Sequence, residues 1–252
     1  MKILRFLFVL FLSSCASKKD LLYFQDAENS IPAKIEYVNN TLQPNDILNV
    51  KIGALVPETA IPYNIQTAGS GQQGQNIELL KLQGHLVGID GYIVLPILGR
   101  ILVANKTIAS VEKELVRILE NGQHLISPSV SVRLLNAKVT ILGEVKNPGT
   151  FNFVEQFISI PQALGYAGDL TIQGKRSDIL LVREQDGNRT ISQIDLTTTS
   201  WMNNPEYRVM PNDVIVVNPN MAKVKSSGII GNISLVMSIV TTLLSITVLL
   251  TR

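Results

Sequence analysis

The longest apolar run in this chain of 252 residues lies at its C-terminal end. Residues 228–250 form a run of 23 residues without a charged side chain. As an α-helix rising about 1.5 Å per residue, this run would be roughly 35 Å long, enough to cross the ~30 Å hydrocarbon layer of a bilayer with some tilt. The pattern therefore predicts one transmembrane helix within a C-terminal segment that spans residues 220–252.

Small and hydroxyl residues recur within this run at spacings of three and four. They would fall on one stripe of a helix: Gly231, Ser234, Ser238, Thr241 and Ser245. One interpretation is a packing face, since such residues let transmembrane helices approach closely. The other is a wall that faces water inside a ring of identical helices. The run alone favours packing.

Alternating apolar positions predict a first domain over residues 41–135. Strands are predicted at 47–52, 86–89, 92–95 and 130–134, and an amphipathic helix begins after Thr107 and ends at Gly122. The dipeptide Asp90-Gly91 separates two of these strands and predicts a hairpin. The Gly/Gln/Ser-rich stretch 68–75 cannot bury a core, so we interpret 57–85 as a flexible insertion.

A second domain is predicted over residues 136–219. Two hairpins turn at 147–149 and 186–187, a short helix at 160–167 lies between them, and a closing strand follows at 214–217. Two hairpins around one short helix are typical of a β-grasp-like module. The predicted fold class is therefore α+β, with two small mixed domains followed by one transmembrane helix.

One sequence pattern occurs in both predicted domains. An apolar residue, any residue, Pro-Asn-Asp and a second apolar residue recur at 42–47 and 209–214. Residue types of this kind favour a turn that leads into a strand. The turns before these two strands are formed by Pro44, Asn45 and Asp46, and by Pro211, Asn212 and Asp213.

The N-terminus carries a second pattern that points to a membrane. Lys2 and Arg5 precede a short apolar run, which is typical of a secretory signal. Residues 12–15 then resemble a bacterial lipobox, so we expect a signal peptide at 1–14, a covalent lipid on Cys15 and a tether at 15–40. Because this lipid would already anchor the protein to the membrane, the C-terminal helix is redundant as a second anchor unless its polar stripe has a role in an assembly of several copies. The two anchors together favour the water-facing wall.

Charge and reactive residues argue against several classes of function. Loss of Lys2 and Arg5 with the signal leaves a neutral mature protein, without the basic surface that nucleic-acid binding needs. Cys15 is the only cysteine, and His85 and His124 lack metal-ligand spacing and are interpreted as solvated loop residues. No catalytic motif is present, and we expect no catalytic residue, metal or cofactor apart from the lipid. A sugar-stacking role for the pair formed by Trp201 and Tyr207 is less favoured than packing.

The order of motifs resembles a known family. Residues 89–101, the helix start at 107–108 and residues 126–132 resemble the polysaccharide export domain of outer-membrane polysaccharide export proteins. Residues 143–151, 163–168 and 209–216 look like the soluble-ligand-binding β-grasp (SLBB) domain of the same family. The resemblance covers nearly the whole mature chain.

This resemblance implies a non-enzymatic role in export of capsular or exopolysaccharide. It implies a lipid-anchored homo-oligomeric ring in the bacterial outer membrane, with the body in the periplasm and the C-terminal helices lining a pore. An inner-membrane polysaccharide co-polymerase would be the partner. The alternative is a doubly anchored periplasmic module that binds a glycan or a partner protein and forms no channel.

Three features depart from the family pattern, and a fourth bears on which membrane the predicted helix crosses. Pro-Asn-Asp stands in both turns where family members often have Pro-Gly-Asp, a mild change because Asn also tolerates positive φ. Only one β-grasp module is recognisable, and the insertion has no counterpart in the family. In the inner membrane, Lys223 and Lys225 would lie outside and only Arg252 inside, which opposes the usual bias of basic residues toward the cytoplasm.

Overall fold

The computed structural model describes residues 21–29, 32, 40–65, 77–226 and 233–250. The predicted signal peptide, Cys15, the centre of the Gly/Gln-rich insertion and Gly231 lie outside the described residues. Within the described part, helices and strands mix in several small sheets that enclose two hydrophobic cores. The α+β class predicted from the sequence is confirmed.

The first core is enclosed by a three-stranded sheet, a hairpin and one long helix. The elements are β1 (Ile47–Gly53), α1 (Pro57–Ala60), α2 (Ile77–Gln83), β2 (His85–Leu86), β3 (Tyr92–Leu95), β4 (Gly99–Leu102), α3 (Ile108–Asn121) and β5 (Ser129–Leu134). Strand β1 lies between β2 and β5 and is antiparallel to both. Leu48, Val50 and Ile52 therefore face the core, and Asn49 and Lys51 between them face outward.

Helix α3 begins and ends where the sequence predicts. The hydroxyl oxygen of Thr107 accepts a hydrogen bond from the backbone N–H of Ser110 at 3.1 Å, which caps the first turn. Val111, Leu115 and Leu119, spaced four residues apart, have no exposed surface. The helix thus covers the core with a single stripe and leaves its other faces polar.

The predicted hairpin at Asp90-Gly91 is wrong. Strand β3 pairs with β4 through a turn at residues 96–98, whereas β2 pairs with β1. Gly91 has a φ of 82°, and its carbonyl oxygen accepts hydrogen bonds from the N–H groups of Val103 and Ala104 at 2.9 and 3.0 Å. The Asp-Gly turn therefore redirects the chain from one strand pair to another instead of joining two paired strands.

The interpretation of residues 57–85 as a flexible insertion is also wrong at both of its ends. Helices α1 and α2 lie there, and Ala60 is buried in the first core. Asn64 is bound to the edge of β1, because its side chain accepts from the N–H of Ile52 at 2.9 Å and donates to the carbonyl of Ile52 at 2.8 Å. These two bonds imitate those of a neighbouring strand.

The second core is enclosed by a five-stranded mixed sheet and a short helix. The elements are β6 (Lys138–Gly143), β7 (Gly149–Asn152), β8 (Ile158–Ser159), α4 (Ile160–Tyr166), β9 (Gly174–Gln185), β10 (Asn188–Ile194), β11 (Arg208–Val209) and β12 (Val214–Pro219). The sheet order is β10-β9-β12-β6-β7. The closing strand β12 therefore lies between the two hairpins, parallel to β6 and antiparallel to β9.

Local sequence signals correctly predict a hairpin and a short helix in this domain. Asp186 and Gly187 have φ values of 52° and 76° and join β9 to β10, as expected for an Asp-Gly hairpin. Helix α4 begins with a capping box between Ser159 and Gln162 and has Pro161 in its first turn. The predicted second hairpin and the predicted short helix are confirmed.

The segment between the lipobox and the first strand is not wholly a free tether. The backbone N–H groups of Phe24 and Gln25 donate to the carbonyls of Leu196 and Thr197 at 3.2 and 2.7 Å. The Tyr23 hydroxyl donates to Asp169 at 2.6 Å. Residues 21–29 therefore pack on the second domain, although they precede the first domain in the chain.

Two C-terminal helices, one of 6 residues and one of 18, follow the second domain. Helix α5 (Met221–Ser226) comes directly after β12, and α6 (Ile233–Leu250) lies within the predicted apolar run. No helix among the described residues is long and apolar enough to cross a membrane. The prediction of a transmembrane helix is therefore not supported by the described part of the chain.

Candidate functional site

A cleft of about 810 Å³ lies where the two domains meet. The first domain contributes the turn before β1 and the outward face of the pair β1 and β5. The second domain contributes the end of β9 and the turn before β12. Asp46 of the first Pro-Asn-Asp turn and all three residues of the second therefore line one cavity, which the sequence pattern alone did not indicate.

The two turns share one geometry. Asn45 and Asn212 have φ values of 72° and 69°, the left-handed conformation that Asn tolerates better than most residues. In the first turn a carboxylate oxygen of Asp46 accepts from the N–H of Gln43 at 2.9 Å. In the second, Asp213 accepts from the N–H of Met210 at 2.7 Å. Each Asp side chain thus closes its own turn, and each is buried, with 4% and 1% of its surface exposed.

The environments of the two carboxylates differ. Arg183 holds Asp213 with two hydrogen bonds, from Nε at 3.0 Å and from Nη2 at 2.7 Å. The same Nη2 donates to the carbonyl of Arg208 at 2.6 Å. Burial raises the pKa of Asp213, and the Arg183 guanidinium acts in the opposite direction. A paired arrangement of this kind compensates a buried charge.

Asp46 has no such partner. Among the described residues, no Lys, Arg or His forms an ion pair with it. Burial raises the pKa of Asp46 to about 6, and only the hydrogen bond from Gln43 opposes this shift. A buried carboxylate that faces a cleft without a countercharge is the kind of group found at binding sites.

We expect Asp46→Asn to stabilise the protein at neutral pH. The pKa of Asp46 is higher in the folded state than the usual value of 3.8, so the folded state binds the proton more tightly and loses stability as pH rises from about 4 to about 6. The amide cannot ionise, and its oxygen still accepts from Gln43. Thermal unfolding followed by circular dichroism should show a gain of up to about 3 kcal/mol at pH 7.5.

That gain should shrink as pH falls below about 6 and vanish below about pH 3, where Asp46 is protonated in both states. Glu120→Gln is a suitable control, because Glu120 is exposed on α3 outside the cleft. A variant less stable than the wild type at pH 7.5 would contradict the expected burial of an uncompensated charge.

Four polar side chains extend the site along the outward face of the first sheet. Asn49 and Lys51 of β1 lie opposite Arg133 and Ser131 of β5, and all four line the cleft. These residues were missed by the sequence analysis. The alternation of polar and apolar residues in both strands gives their common face, but only the position of the second domain makes that face a cleft wall.

Several side-chain hydrogen bonds join the domains beside the cleft, and two of them come from Gln43 and Asn40. Gln43 Nε2 donates to Asp186 at 3.2 Å, and Asn40 Nδ2 donates to the carbonyl of Gln156 at 2.5 Å. Gln43 therefore links the first turn to the β9–β10 hairpin, while its backbone N–H holds Asp46. The position of Asp46 in the cleft is coupled to the contact between the domains.

The predicted stripe of the C-terminal helix is only partly described. Gly231 lies outside the described residues, and Ser234 lies within α6. Ser238, Thr241 and Ser245 are exposed. The hydroxyl of Thr241 donates to the carbonyl of Met237 at 2.8 Å, and that of Ser245 donates to the carbonyl of Thr241 at 2.8 Å. Both donors are thus used within the helix, which leaves the hydroxyl oxygens as acceptors.

The remaining candidates are structural. The prediction that His85 is solvated is wrong, because it is 8% exposed, its Nδ1 lies 2.8 Å from the carbonyl oxygen of Val94, and burial lowers its pKa. His124 is exposed and lies 3.2 Å from the Tyr63 hydroxyl. Trp201 is buried between Phe24 and Tyr207, so it packs instead of stacking on a sugar. The described residues include no cluster of three or more potential metal ligands.

Comparison with known proteins relates the first domain to an export family. No curated protein matches the chain. Residues 36–135, which include the first core and one wall of the cleft, match the family described as polysaccharide biosynthesis/export protein. The match covers less than half of the 252 residues, so it relates the first domain alone to polysaccharide biosynthesis/export proteins.

Proposed function

We propose that this protein is a subunit of an oligomeric assembly that exports capsular or exopolysaccharide across the bacterial outer membrane. The family match over residues 36–135 is the observation that carries the proposal. A covalent lipid on Cys15 anchors the subunit, and the body lies in the periplasm, where an inner-membrane co-polymerase docks. The subunit performs no catalysis and provides a passage.

Features of the second domain support the same proposal. Its closing strand β12 lies between two hairpins and parallel to β6, which is the β-grasp arrangement expected of an SLBB domain. The sequence motifs at 143–151 and 209–216 fall on this sheet and on the turn before β12. We therefore propose that residues 136–219 form an SLBB domain that follows the export domain.

The C-terminal helix is proposed to line the exit path within a ring of copies. Its described apolar side chains are largely exposed, including Met237, Ile239 and Leu249 at 56%, 53% and 81%. A helix that leaves such residues uncovered on its own chain needs another apolar surface, from lipid or from a second copy. Ser238, Thr241 and Ser245 would then face water in the lumen.

Deletion and complementation test the export role. A bacterium that lacks the gene should lose its surface polysaccharide, and the full-length chain should restore it. Native mass spectrometry of the protein in detergent should give a discrete ring of several subunits. A protein that restores nothing, or that stays monomeric in membranes, would overturn the proposal.

The alternative to a channel is a doubly anchored module that binds a glycan or a partner protein, and the interdomain cleft favours this alternative. Cysteine labelling distinguishes the two functions. Ser238, Thr241 and Ile239 are all exposed on the single chain, so unequal labelling must come from the assembly. In a channel, Ser238→Cys and Thr241→Cys should react with a water-soluble thiol reagent while Ile239→Cys stays protected. Equal protection of all three supports the alternative, and the wild type, with Cys15 alone, is the control.

A further inference from the structure

The two Pro-Asn-Asp turns differ in how the carboxylate of their Asp is bound. In both turns a buried Asp accepts one backbone N–H from the residue three positions earlier. Among the described residues, only Asp213 has a cation as partner, and this is Arg183. A buried carboxylate satisfied by a single hydrogen bond needs further donors, because its desolvation otherwise goes uncompensated. Asp46 lines the cleft, so a ligand in the cleft is in a position to supply those donors.

The same cleft also contains two exposed basic side chains. Lys51 and Arg133 lie diagonally across the β1–β5 pair, because Lys51 is opposite Ser131 and Arg133 is opposite Asn49. Diagonal neighbours of this kind are about 7–8 Å apart at the backbone. Both side chains are exposed, and neither forms an ion pair with a described residue. An anionic group between them would relieve their mutual repulsion.

We propose that the interdomain cleft binds a segment of an acidic polysaccharide, with sugar hydroxyls donating to Asp46 and sugar carboxylates held by Lys51 and Arg133. This inference rests on the export function proposed above and names a binding site for its cargo. A saccharide with uronic acid units carries both kinds of group along one chain. The cleft volume of about 810 Å³ falls within the range of small-molecule sites, roughly 300–1,000 Å³.

Other occupants fit these residues less well. A divalent cation prefers several oxygen ligands, and the described residues hold no cluster of acidic side chains and histidines that could bind one. A fully apolar ligand would leave Asp46 with the backbone N–H of Gln43 as its one donor among the described residues. A neutral sugar would satisfy Asp46 and leave the two cations of the sheet unpaired.

Isothermal titration of the full-length protein in detergent tests the proposal with two probes, tetragalacturonate and the neutral cellotetraose. We expect the acidic probe to bind at least about tenfold more tightly than the neutral one. Asp46→Asn should weaken binding of the acidic probe about tenfold, because a neutral acceptor forms a weaker hydrogen bond than a carboxylate. Since this variant is expected to be at least as stable as the wild type, misfolding would not explain the loss.

A matched pair of double variants separates the cleft from the general surface. Lys51→Gln with Arg133→Gln should remove the preference for the acidic probe, whereas Lys113→Gln with Arg117→Gln, on the exposed face of α3, should change affinity less than about twofold. No binding by the wild type, equal affinity for both probes, or wild-type binding by Asp46→Asn would overturn the proposal.

Calcium chloride serves as a third titrant. Heat of calcium binding that disappears in Asp46→Asn would also overturn the proposal, in favour of a cation site. The same variants are scored for surface polysaccharide in the deletion strain. A wild type that restores export without binding tetragalacturonate overturns the cleft site alone, whereas a wild type that fails to restore export overturns the proposed function.

Discussion

Asp213→Asn is expected to lower the free energy of unfolding by about 3–5 kcal/mol. The variant keeps an oxygen that can accept from the N–H of Met210, so the turn before β12 can still close. It loses the negative charge that compensates Arg183, whose side chain is only 12% exposed and whose Nε and Nη2 both donate to Asp213. A buried guanidinium without its counterion is the source of the expected loss.

Fluorescence of Trp201 during urea unfolding measures this effect. Trp201 is the only tryptophan and is buried in the second core, so its signal reports on the domain that contains Asp213. Adding Arg183→Met to Asp213→Asn should restore part of the lost stability, because the uncompensated charge is then removed. Equal stability of Asp213→Asn and the wild type would show that the ion pair makes no net contribution.

The corresponding substitution in the first turn, Asp46→Asn, is expected to change the free energy of unfolding in the opposite direction. Asp46→Asn removes a buried charge that has no partner in the described chain, whereas Asp213→Asn creates one. The sequence contains both Pro-Asn-Asp turns and predicts that each leads into a strand. It does not reveal which carboxylate is paired, because Arg183 lies 30 positions from Asp213 and reaches it only across the sheet.

Features that the sequence predicted correctly depend on neighbours in the chain. Helix α3 has its cap at Thr107 and its apolar stripe within 14 residues, and the hairpin at Asp186-Gly187 needs only two residues of positive φ. Features that it predicted wrongly depend on contacts with other elements of the fold. Asn64 is ordered by β1, and His85 is buried next to Val94. The cleft forms only where two domains with separate cores meet, so no local sequence pattern predicts it.

Gly143→Ala is expected to have an effect of similar size for a different reason. Gly143 ends β6 with a φ of +90° and lies opposite Val217 of the parallel strand β12. An added Cβ would overlap the carbonyl oxygen of Val217 and lie 3.0 Å from its carbonyl carbon. That carbonyl accepts a hydrogen bond from the N–H of Glu144 at 3.0 Å, so it cannot move away without breaking the contact between the strands.

The conformational strain of Ala at a positive φ and the overlap with Val217 should together lower the free energy of unfolding by about 3–5 kcal/mol. Trp201 fluorescence during urea unfolding measures this loss. Gly187→Ala is the matched control, because Gly187 has a φ of +76° and no heavy atom within 4 Å of the added Cβ. It should show only the conformational strain, about 1–2 kcal/mol. Equal losses in the two variants would mean that β12 adjusts to the methyl group. A larger loss at Gly143 would show that the central pair of β6 and β12 is rigid, as a sheet must be if it holds the turn with Asp213 and Arg183 in the wall of the cleft.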